Sequence, residues 1–135
     1  MSTQIFVNLP VKQLDRSVAF FTQLGYSFHP QFTDENGTCM IVSDTIFVML
    51  LAEPFFQTFT KKALCDATRA TETILCLSQD SRSQVDEIVA KAVAAGAKTP
   101  SAAQDHGWMY QHGFEDLDGH LWEFAYVDLS AMPQS

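Results

Sequence analysis

Glu123 is the acidic side chain whose setting in the sequence most favours acid-base chemistry. It lies between Trp122 and Phe124 in an alternating stretch that is typical of a β-strand. A carboxylate that faces an apolar cavity from such a strand would be poorly hydrated, which suits a general base or an anchor for a cationic ligand. The structural alternative is a carboxylate at the rim of a cavity, hydrated by solvent or bonded to Tyr110.

A turn predicted at Asp118-Gly119 brings further polar side chains to Glu123. If this turn has two residues, Phe114 pairs with Glu123 and His112 lies diagonally across from the carboxylate. We therefore predict a catalytic cluster of Glu123, His112 and Tyr110, in which Glu123 transfers a proton and His112 or Tyr110 polarises a substrate oxygen. A one-residue slip would turn Tyr110, His112 and Phe114 to the opposite face, and His112 alone is more typical of an exposed strand.

The alternation of the other strands predicts which side chains line the same cavity. Residues two apart in a strand share a face, and the faces rich in Val and Leu suit packing against a helix. The opposite faces are mostly apolar with few polar groups, as small-molecule pockets are. The predicted ligand-binding residues are Phe6, Asn8, Phe47, Met49, Ile74, Cys76, Phe114 and Leu121.

The sequence predicts two copies of one β-α-β-β-β layout. The first helix ends at Gly25, and the second begins at Ser81 or Ser83 and ends at Gly96, in agreement with the usual helix caps. Asn36-Gly37 favours a hairpin turn in the first copy. The predicted strands are 5–11, 26–33, 38–43 and 46–51 in the first copy, and 73–77, 109–114 and 120–127 in the second.

The fold class predicted from this layout is α+β, with one domain over residues 1–135. The copies cover approximately 4–52 and 71–128, and their closing hairpins align without a gap when Asp44 is placed over Asp118. A Phe-rich segment, 53–70, joins the copies. This segment is too apolar for a solvated linker, so we expect it to fold back over a core, a cavity or a partner chain.

Composition excludes several classes of protein. The chain has 135 residues, 47% of them hydrophobic, and a formal charge of −8, so disorder is excluded and binding to nucleic acid or an anionic membrane is disfavoured. No apolar run reaches the roughly 20 residues of a membrane span. Cys39, Cys65 and Cys76 fit neither a disulfide framework nor a zinc motif. The start of the chain has no signal-peptide pattern, and we expect a cytoplasmic protein.

Two segments resemble the vicinal oxygen chelate superfamily, which groups glyoxalase I, bleomycin-resistance proteins and extradiol dioxygenases. Residues 6–26 look like its opening strand and helix, and residues 116–124, Asp-Leu-Asp-Gly-His-Leu-Trp-Glu-Phe, look like its closing hairpin. The pattern is most similar to proteins related to lactoylglutathione lyase. The resemblance implies two β-α-β-β-β units that form a U-shaped mixed sheet around a cavity, helices on the outer face, a small-molecule ligand and a homodimer.

The same resemblance implies four metal-ligand positions, at Phe6, Met49, Ile74 and Glu123. Only Glu123 can bind a hard or borderline cation, because the other three side chains have no suitable donor. We therefore predict no metal ligands and no cofactor. A divalent zinc, nickel or iron ion held by other residues, or by a partner chain, stays open.

Three functions are left open by the sequence. The first is an enzyme related to lactoylglutathione lyase, with a lyase- or isomerase-like activity that uses Glu123. The second is a non-catalytic binder of an aromatic or cationic drug-like compound, as in the bleomycin-resistance branch, which suits the acidic charge and the missing ligands. The third is a structural or regulatory domain whose cavity is filled by Phe and Met.

Overall fold

The computed structural model describes residues 2–133, and the chain divides after Cys65 into two compact units. The first unit contains a four-stranded mixed sheet in the order β1-β4-β3-β2, in which β1 and β4 are parallel. Its elements are β1 Ile5–Val11, α1 Leu14–Gln23, β2 Ser27–Phe28, a 3-10 helix Pro30–Phe32, β3 Gly37–Ile41, β4 Ile46–Ala52, α2 Glu53–Phe56 and a 3-10 helix Gln57–Phe59.

The second unit contains a sheet of the same order, β5-β8-β7-β6, in which β5 and β8 are parallel. Its elements are β5 Ile74–Ser78, α3 Arg82–Ala94, β6 Gln104–Asp105, β7 Met109–Glu115, β8 Leu121–Val127 and a 3-10 helix Leu129–Ala131. Every helix within residues 2–133 is too short or too polar to cross a membrane.

The two units have the same strand register, which confirms the predicted duplication. Phe6 pairs with Phe47 in the first unit, and Ile74 pairs with Leu121 in the second. The antiparallel hairpins correspond as well, since β3 residue 41 pairs with 47 and β7 residue 115 pairs with 121. Met49 in the first unit therefore occupies the position of Glu123 in the second. The α+β class and the β-α-β-β-β order are as predicted.

Each unit buries one face of its sheet against its long helix. In the first unit, Phe20 and Phe21 of α1 and Leu50 of β4 are each at most 2% exposed. In the second unit, α3 buries Val85 and Val89. The sheet residues of the second core are Phe114, Trp122 and Phe124, each at most 1% exposed. Burial of such large side chains is the main stabilising contribution to each unit.

Both long helices end in the same capping motif. Gly25 N–H donates to Thr22 O (3.0 Å) and Tyr26 N–H donates to Phe21 O (3.1 Å), while Gly25 has φ +104°. The same two bonds recur after α3, from Gly96 N–H to Val93 O (3.0 Å) and from residue 97 N–H to residue 92 O (2.9 Å). This is the Schellman arrangement, which favours glycine because of its positive φ. The predicted stops at Gly25 and Gly96 are confirmed.

Ser81 caps the N-terminus of α3, as one of the two predicted candidates. Its Oγ accepts a hydrogen bond from Gln84 N–H at 3.1 Å. We expect Ser81→Ala to lower the free energy of unfolding by about 1 kcal/mol, because a helix N–H group loses its acceptor. Urea unfolding followed by circular dichroism measures this loss. Ser101→Ala, which removes an exposed hydroxyl in a loop, serves as the control and should change stability by less than about 0.5 kcal/mol.

The strand predicted over residues 26–33 is wrong beyond Ser27–Phe28. Pro30 begins a 3-10 helix there, because proline lacks the N–H group that a sheet needs and its φ suits a helical turn. The hairpin predicted at Asn36-Gly37 is present, since β2 and β3 are antiparallel neighbours, but the segment between the two strands spans residues 29–36. Gly37 lies inside β3, where a Cβ atom would be 2.6 Å from Leu51 Cδ2. Gly37 also lies close to the neighbouring strand backbone, since a Cβ atom there would be 3.1 Å from Leu50 O.

The Phe-rich segment 53–70 is divided between the units. Its first part forms α2, which lies near β1 and β4 of the first unit, as expected for a segment that folds back. Phe55 and Phe59 meet edge to face, with ring centroids 5.1 Å apart. Its last part contains a turn in which Thr68 N–H donates to Asp66 Oδ1 at 3.0 Å.

Candidate functional site

The loop between β7 and β8 has three residues and not two. Asp116 N–H donates to His120 O at 2.9 Å, and Gly119 N–H donates to Asp116 O at 3.1 Å. Gly119 has φ +91°, which is the conformation that ends a three-residue hairpin loop. The matching loop in the first unit also has three residues, since Val42 N–H donates to Ile46 O at 3.0 Å.

The extra loop residue reverses the predicted facing of β7. Phe114 pairs with Trp122, His112 pairs with Phe124, and Gly113 pairs with Glu123. Directly paired residues share a face, so Tyr110, His112 and Phe114 lie on the helix-covered face, opposite to that of Glu123. The prediction that these three residues share a face with Glu123 is wrong. The prediction failed because it assumed a two-residue loop, and the third loop residue shifts the pairing of β7 with β8 by one position.

The three side chains whose facing was predicted wrongly, Tyr110, His112 and Phe114, have structural partners. The ring of Phe114 lies 5.6 Å from that of Phe124 and 1% of the residue is exposed, so Phe114 belongs to the core. His112 Nε2 lies 3.1 Å from the carbonyl oxygen of Ser101. The hydroxyl group of Tyr110 donates to Asp86 Oδ1 on α3 at 2.5 Å, and this bond raises the pKa of Tyr110. None of these contacts brings them to Glu123.

Asp116 is a buried carboxylate that holds the loop together. Its Oδ2 accepts from Trp122 Nε1 at 2.9 Å, and its Oδ1 accepts from the backbone N–H groups of Asp118 and His120, both at 2.9 Å. Burial raises the pKa of Asp116, and its hydrogen-bond donors oppose that shift. The first aspartate of the closing motif thus has a structural role, which sequence reasoning did not assign to it.

Glu123 lies on the face of the second sheet that α3 does not cover. The half-buried carboxylate is flanked in register by Cys76 on β5 and by Gly113 on β7. Partial desolvation, and secondarily the charge of Glu123, raise the pKa of the Cys76 thiol. Of the predicted residues, Ile74, Cys76 and Leu121 share the face of Glu123, as the alternation indicates.

Register also places three unpredicted residues on this face. Gly113 lies directly opposite Glu123, and Gln111 and Glu115 are two positions away on either side of it. A Cβ atom at Gly113 would be 2.2 Å from Trp122 O and 3.1 Å from Glu123 Cγ, so only glycine fits beside this carboxylate. The sequence signal that could have identified these three residues is the large apolar side chain of Phe114, which favours a place in the core beside Trp122. The register that puts Phe114 there also puts its neighbours on the face of Glu123.

The corresponding face of the first unit carries an aromatic pair. The rings of Phe6 and Phe47 stack with centroids 5.0 Å apart and an interplanar angle of 12°, and 51% of Phe6 is exposed. Asn8 and Met49 lie on the same face. The amide of Asn8 donates to the backbone oxygen of Phe6 at 3.1 Å, which is the structural role left open for it. An exposed ring stack of this kind can pack against a flat apolar ligand.

These side chains do not fit the metal site that the superfamily resemblance implies. Phe6, Met49 and Ile74 offer no oxygen or nitrogen donor, and the residue paired with Glu123 on β5 is Cys76. Within residues 2–133, no three side chains of His, Cys, Asp or Glu are grouped so that they could hold a metal ion.

Comparisons with known proteins agree with this fold. Residues 3–43 match the family model described as bleomycin resistance protein-like N-terminal. No curated protein matches the sequence. The hypothetical protein SA1046 from S. aureus is 26% identical, with a TM-score of 0.79, and the alignment covers 94% of this chain and 95% of that one.

Two further solved structures are similar in fold at lower identity. A glyoxalase/bleomycin resistance protein/dioxygenase family enzyme from Burkholderia phytofirmans PsJN is 17% identical, with a TM-score of 0.76, over 93% of this chain and 99% of that one. A fosfomycin resistance protein from Listeria monocytogenes is also 17% identical, with a TM-score of 0.68, over 97% of this chain and 98% of that one.

The repeated β-α-β-β-β units are the fold of the glyoxalase/bleomycin resistance/dioxygenase structures. These comparisons show that residues 3–43 are similar to bleomycin-resistance-like N-terminal sequences and that the chain shares its fold with structures of the glyoxalase/bleomycin resistance/dioxygenase family.

Proposed function

We propose that this protein binds a small molecule with an aromatic part and a cationic group, and that it does so without a protein-bound metal. The observation that carries the proposal is the stacking of the exposed Phe6 ring on Phe47. Phe6 is one of the four positions at which the superfamily resemblance implies a metal ligand. Aromatic faces attract both flat rings and cations. The family model that matches the N-terminal residues is that of bleomycin-resistance-like proteins, which supports a binding role.

The charge of the protein supports a cationic ligand. Glu115 and Glu123 share the uncovered face of the second sheet, and the chain as a whole has a formal charge of −8. Such a surface raises the local concentration of cations and repels anions. A half-buried carboxylate also makes stronger charge-assisted hydrogen bonds than a fully hydrated one.

An enzyme related to lactoylglutathione lyase is the alternative. It requires a base together with a group that polarises the substrate oxygen. Glu123 could act as the base, but Tyr110 and His112, which were to polarise the oxygen, lie on the other face of the sheet. The register therefore favours binding over catalysis. Formation of lactoylglutathione from methylglyoxal and glutathione by the purified protein would support the enzyme instead.

Titration calorimetry with bleomycin and with ethidium, a smaller aromatic cation, tests the binding proposal. We expect Phe6→Ala to weaken binding at the first unit by about tenfold, because an aromatic contact is removed. We expect Glu123→Gln to weaken binding at the second unit by about tenfold, because a charge-assisted hydrogen bond is removed. Glu87→Gln on α3 removes the same charge from an exposed helix position and is the control, which should leave the affinity unchanged. Unaltered affinity in both site variants, or no binding of either cation, would contradict the proposal.

Three properties of the whole protein are proposed from the sequence and the superfamily. We expect a single domain over residues 1–135, a homodimer, and a cytoplasmic location, with no binding to nucleic acid or membranes. Light scattering measures the oligomeric state. Limited proteolysis tests the single domain, since an independent pair of domains would be cut first in the segment 53–70.

A further inference from the structure

Asn36 is an exposed asparagine that is followed directly by a glycine. In such a pair the backbone nitrogen of the glycine can attack the side-chain carbonyl carbon of the asparagine, because glycine has no Cβ atom to shield its nitrogen. The new C–N bond closes a succinimide ring, the amide nitrogen takes up the proton that the backbone nitrogen loses, and ammonia leaves. Water then opens the ring at either carbonyl carbon and leaves an aspartate or an isoaspartate.

The peptide group between Asn36 and Gly37 is held at both of its ends. Its N–H group, on Gly37, donates to Asp34 Oδ1 at 3.2 Å, and the same oxygen accepts from Asn36 N–H at 2.8 Å. Its carbonyl oxygen, on Asn36, accepts from Ala52 N–H at the end of β4 at 2.8 Å. The attacking nitrogen can turn toward the side chain of Asn36 only if this peptide group rotates. Rotation breaks the bond to Asp34 and the bond to Ala52 together.

We propose that Asn36 is a site of spontaneous deamidation and that Asp34 controls its rate by holding the 36–37 peptide group. The folded protein then reacts only while this turn is open, so its rate is that of the unfolded chain multiplied by the fraction of time for which the turn is open. Both products place a second negative charge beside the Asp34 carboxylate, and repulsion between the two charges favours the open turn. Neither the reaction nor its control involves the proposed ligand.

Peptide mapping by mass spectrometry after incubation at mildly alkaline pH tests the proposal. We expect Asn36 in the folded wild type to react about tenfold or more slowly than in the chain unfolded in guanidinium chloride, and Asp34→Ala to raise the rate in the folded protein several-fold. Glu35→Ala removes the same charge from the neighbouring exposed position and is the matched control, which should leave the rate unchanged. Asn8, the other asparagine of the chain, precedes Leu9 inside β1 and should stay intact.

Asp34→Asn separates the hydrogen bonds from the charge. Its side-chain oxygen still accepts from N–H groups, so this variant should react at nearly the rate of the wild type. Circular dichroism shows that each variant is folded. Equal rates in the folded and unfolded wild type, or a folded Asp34→Ala variant that reacts no faster than Glu35→Ala, would overturn the proposal. A slower reaction of Asp34→Ala would identify the carboxylate as a base that activates the nitrogen, and this result too would overturn it.

Discussion

Replacing Asp116 with alanine is expected to lower the free energy of unfolding by about 3 kcal/mol, because three N–H groups lose their shared acceptor. One of them, the indole N–H of Trp122, belongs to a residue that is 1% exposed, so solvent cannot replace the carboxylate without opening the core. A loss of this size is a large part of the stability of a typical domain. Urea unfolding followed by tryptophan fluorescence measures it.

Asp44→Ala is the control for this substitution. Asp44 is an exposed aspartate in the matching three-residue loop of the first unit. Its removal should change the free energy of unfolding by less than about 0.5 kcal/mol. If Asp116→Ala costs no more than Asp44→Ala, the assigned role of the buried carboxylate is wrong.

The pH dependence of stability gives a second measurement on Asp116. Burial raises its pKa in the folded protein, so the pH-dependent part of its contribution to stability is fully present below the pKa of the unfolded chain, about 3.9, and is lost as pH rises through the higher folded value. The advantage of the wild type over Asp116→Asn should therefore shrink as the pH rises above about 4.

The contributions of Asp105 and Asp128 to stability change with pH in the opposite direction to that of Asp116. The hydrogen bond from Arg82 lowers the pKa of Asp105, and the bond from the Ser130 hydroxyl lowers that of Asp128. Their contributions are present above the unfolded-state value of about 3.9 and are lost as pH falls through the lower folded values. The two pH windows are thus separate. An advantage over Asp116→Asn that grows above pH 4 would contradict the assignment for Asp116.

Gly119→Ala is expected to cost about 3 kcal/mol or more, for two independent reasons. The residue has φ +91°, which strains any side chain other than glycine. A Cβ atom would also lie 2.6 Å from both the carbonyl carbon of Ala67 and the backbone nitrogen of Thr68. Backbone atoms cannot turn aside as a flexible side chain can, so the hairpin and the turn at Asp66 must separate.

Gly107→Ala separates the backbone strain of a positive φ from the steric clash, the two causes of the stability loss expected for Gly119→Ala. Gly107 has φ +84°, but a Cβ atom there would have no atom within 4 Å. This variant should lose only the strain contribution, about 1 kcal/mol. Chemical unfolding of both variants measures the difference. Equal losses would mean that the close approach to residues 67 and 68 has no energetic weight.

The parts of the fold that were predictable from the sequence depend on local signals. Ser81, Gly25 and Gly96 mark helix ends because a cap needs a short polar side chain or a positive φ at one position. The alternation of β1, β4, β5 and β8 predicted their faces because period-two burial needs no knowledge of the partner strand. The identical registers of the two units then follow from their repeated pattern.

The facing of β7 could not be predicted in the same way, since it depends on one loop. Asp118-Gly119 is compatible with a two-residue turn and with the end of a three-residue loop, and the two choices differ by one residue in register. Two signals favoured the longer loop. Phe114 belongs with Trp122 and Phe124 in a core, and the matching loop of residues 43–45 has three residues.

Only part of the candidate site could be predicted, because its β7 residues depend on the same loop. Glu123, Cys76 and Phe6 were predicted on the uncovered sheet faces from strand alternation alone. Gln111 and Gly113 were missed because the assumed register placed them on the helix side. The stacking of Phe6 on Phe47 was also outside the reach of sequence reasoning, because it depends on side-chain rotamers as well as on strand pairing.

The length of the β7–β8 loop constrains how this protein could have diverged from its relatives. Deleting one codon from the loop would present Tyr110 and His112 to Glu123, and it would remove Phe114 from beneath the aromatic residues that it supports. A lineage could therefore acquire a new set of polar groups in a single genetic event. That set would be retained only after another side chain had filled the vacated volume.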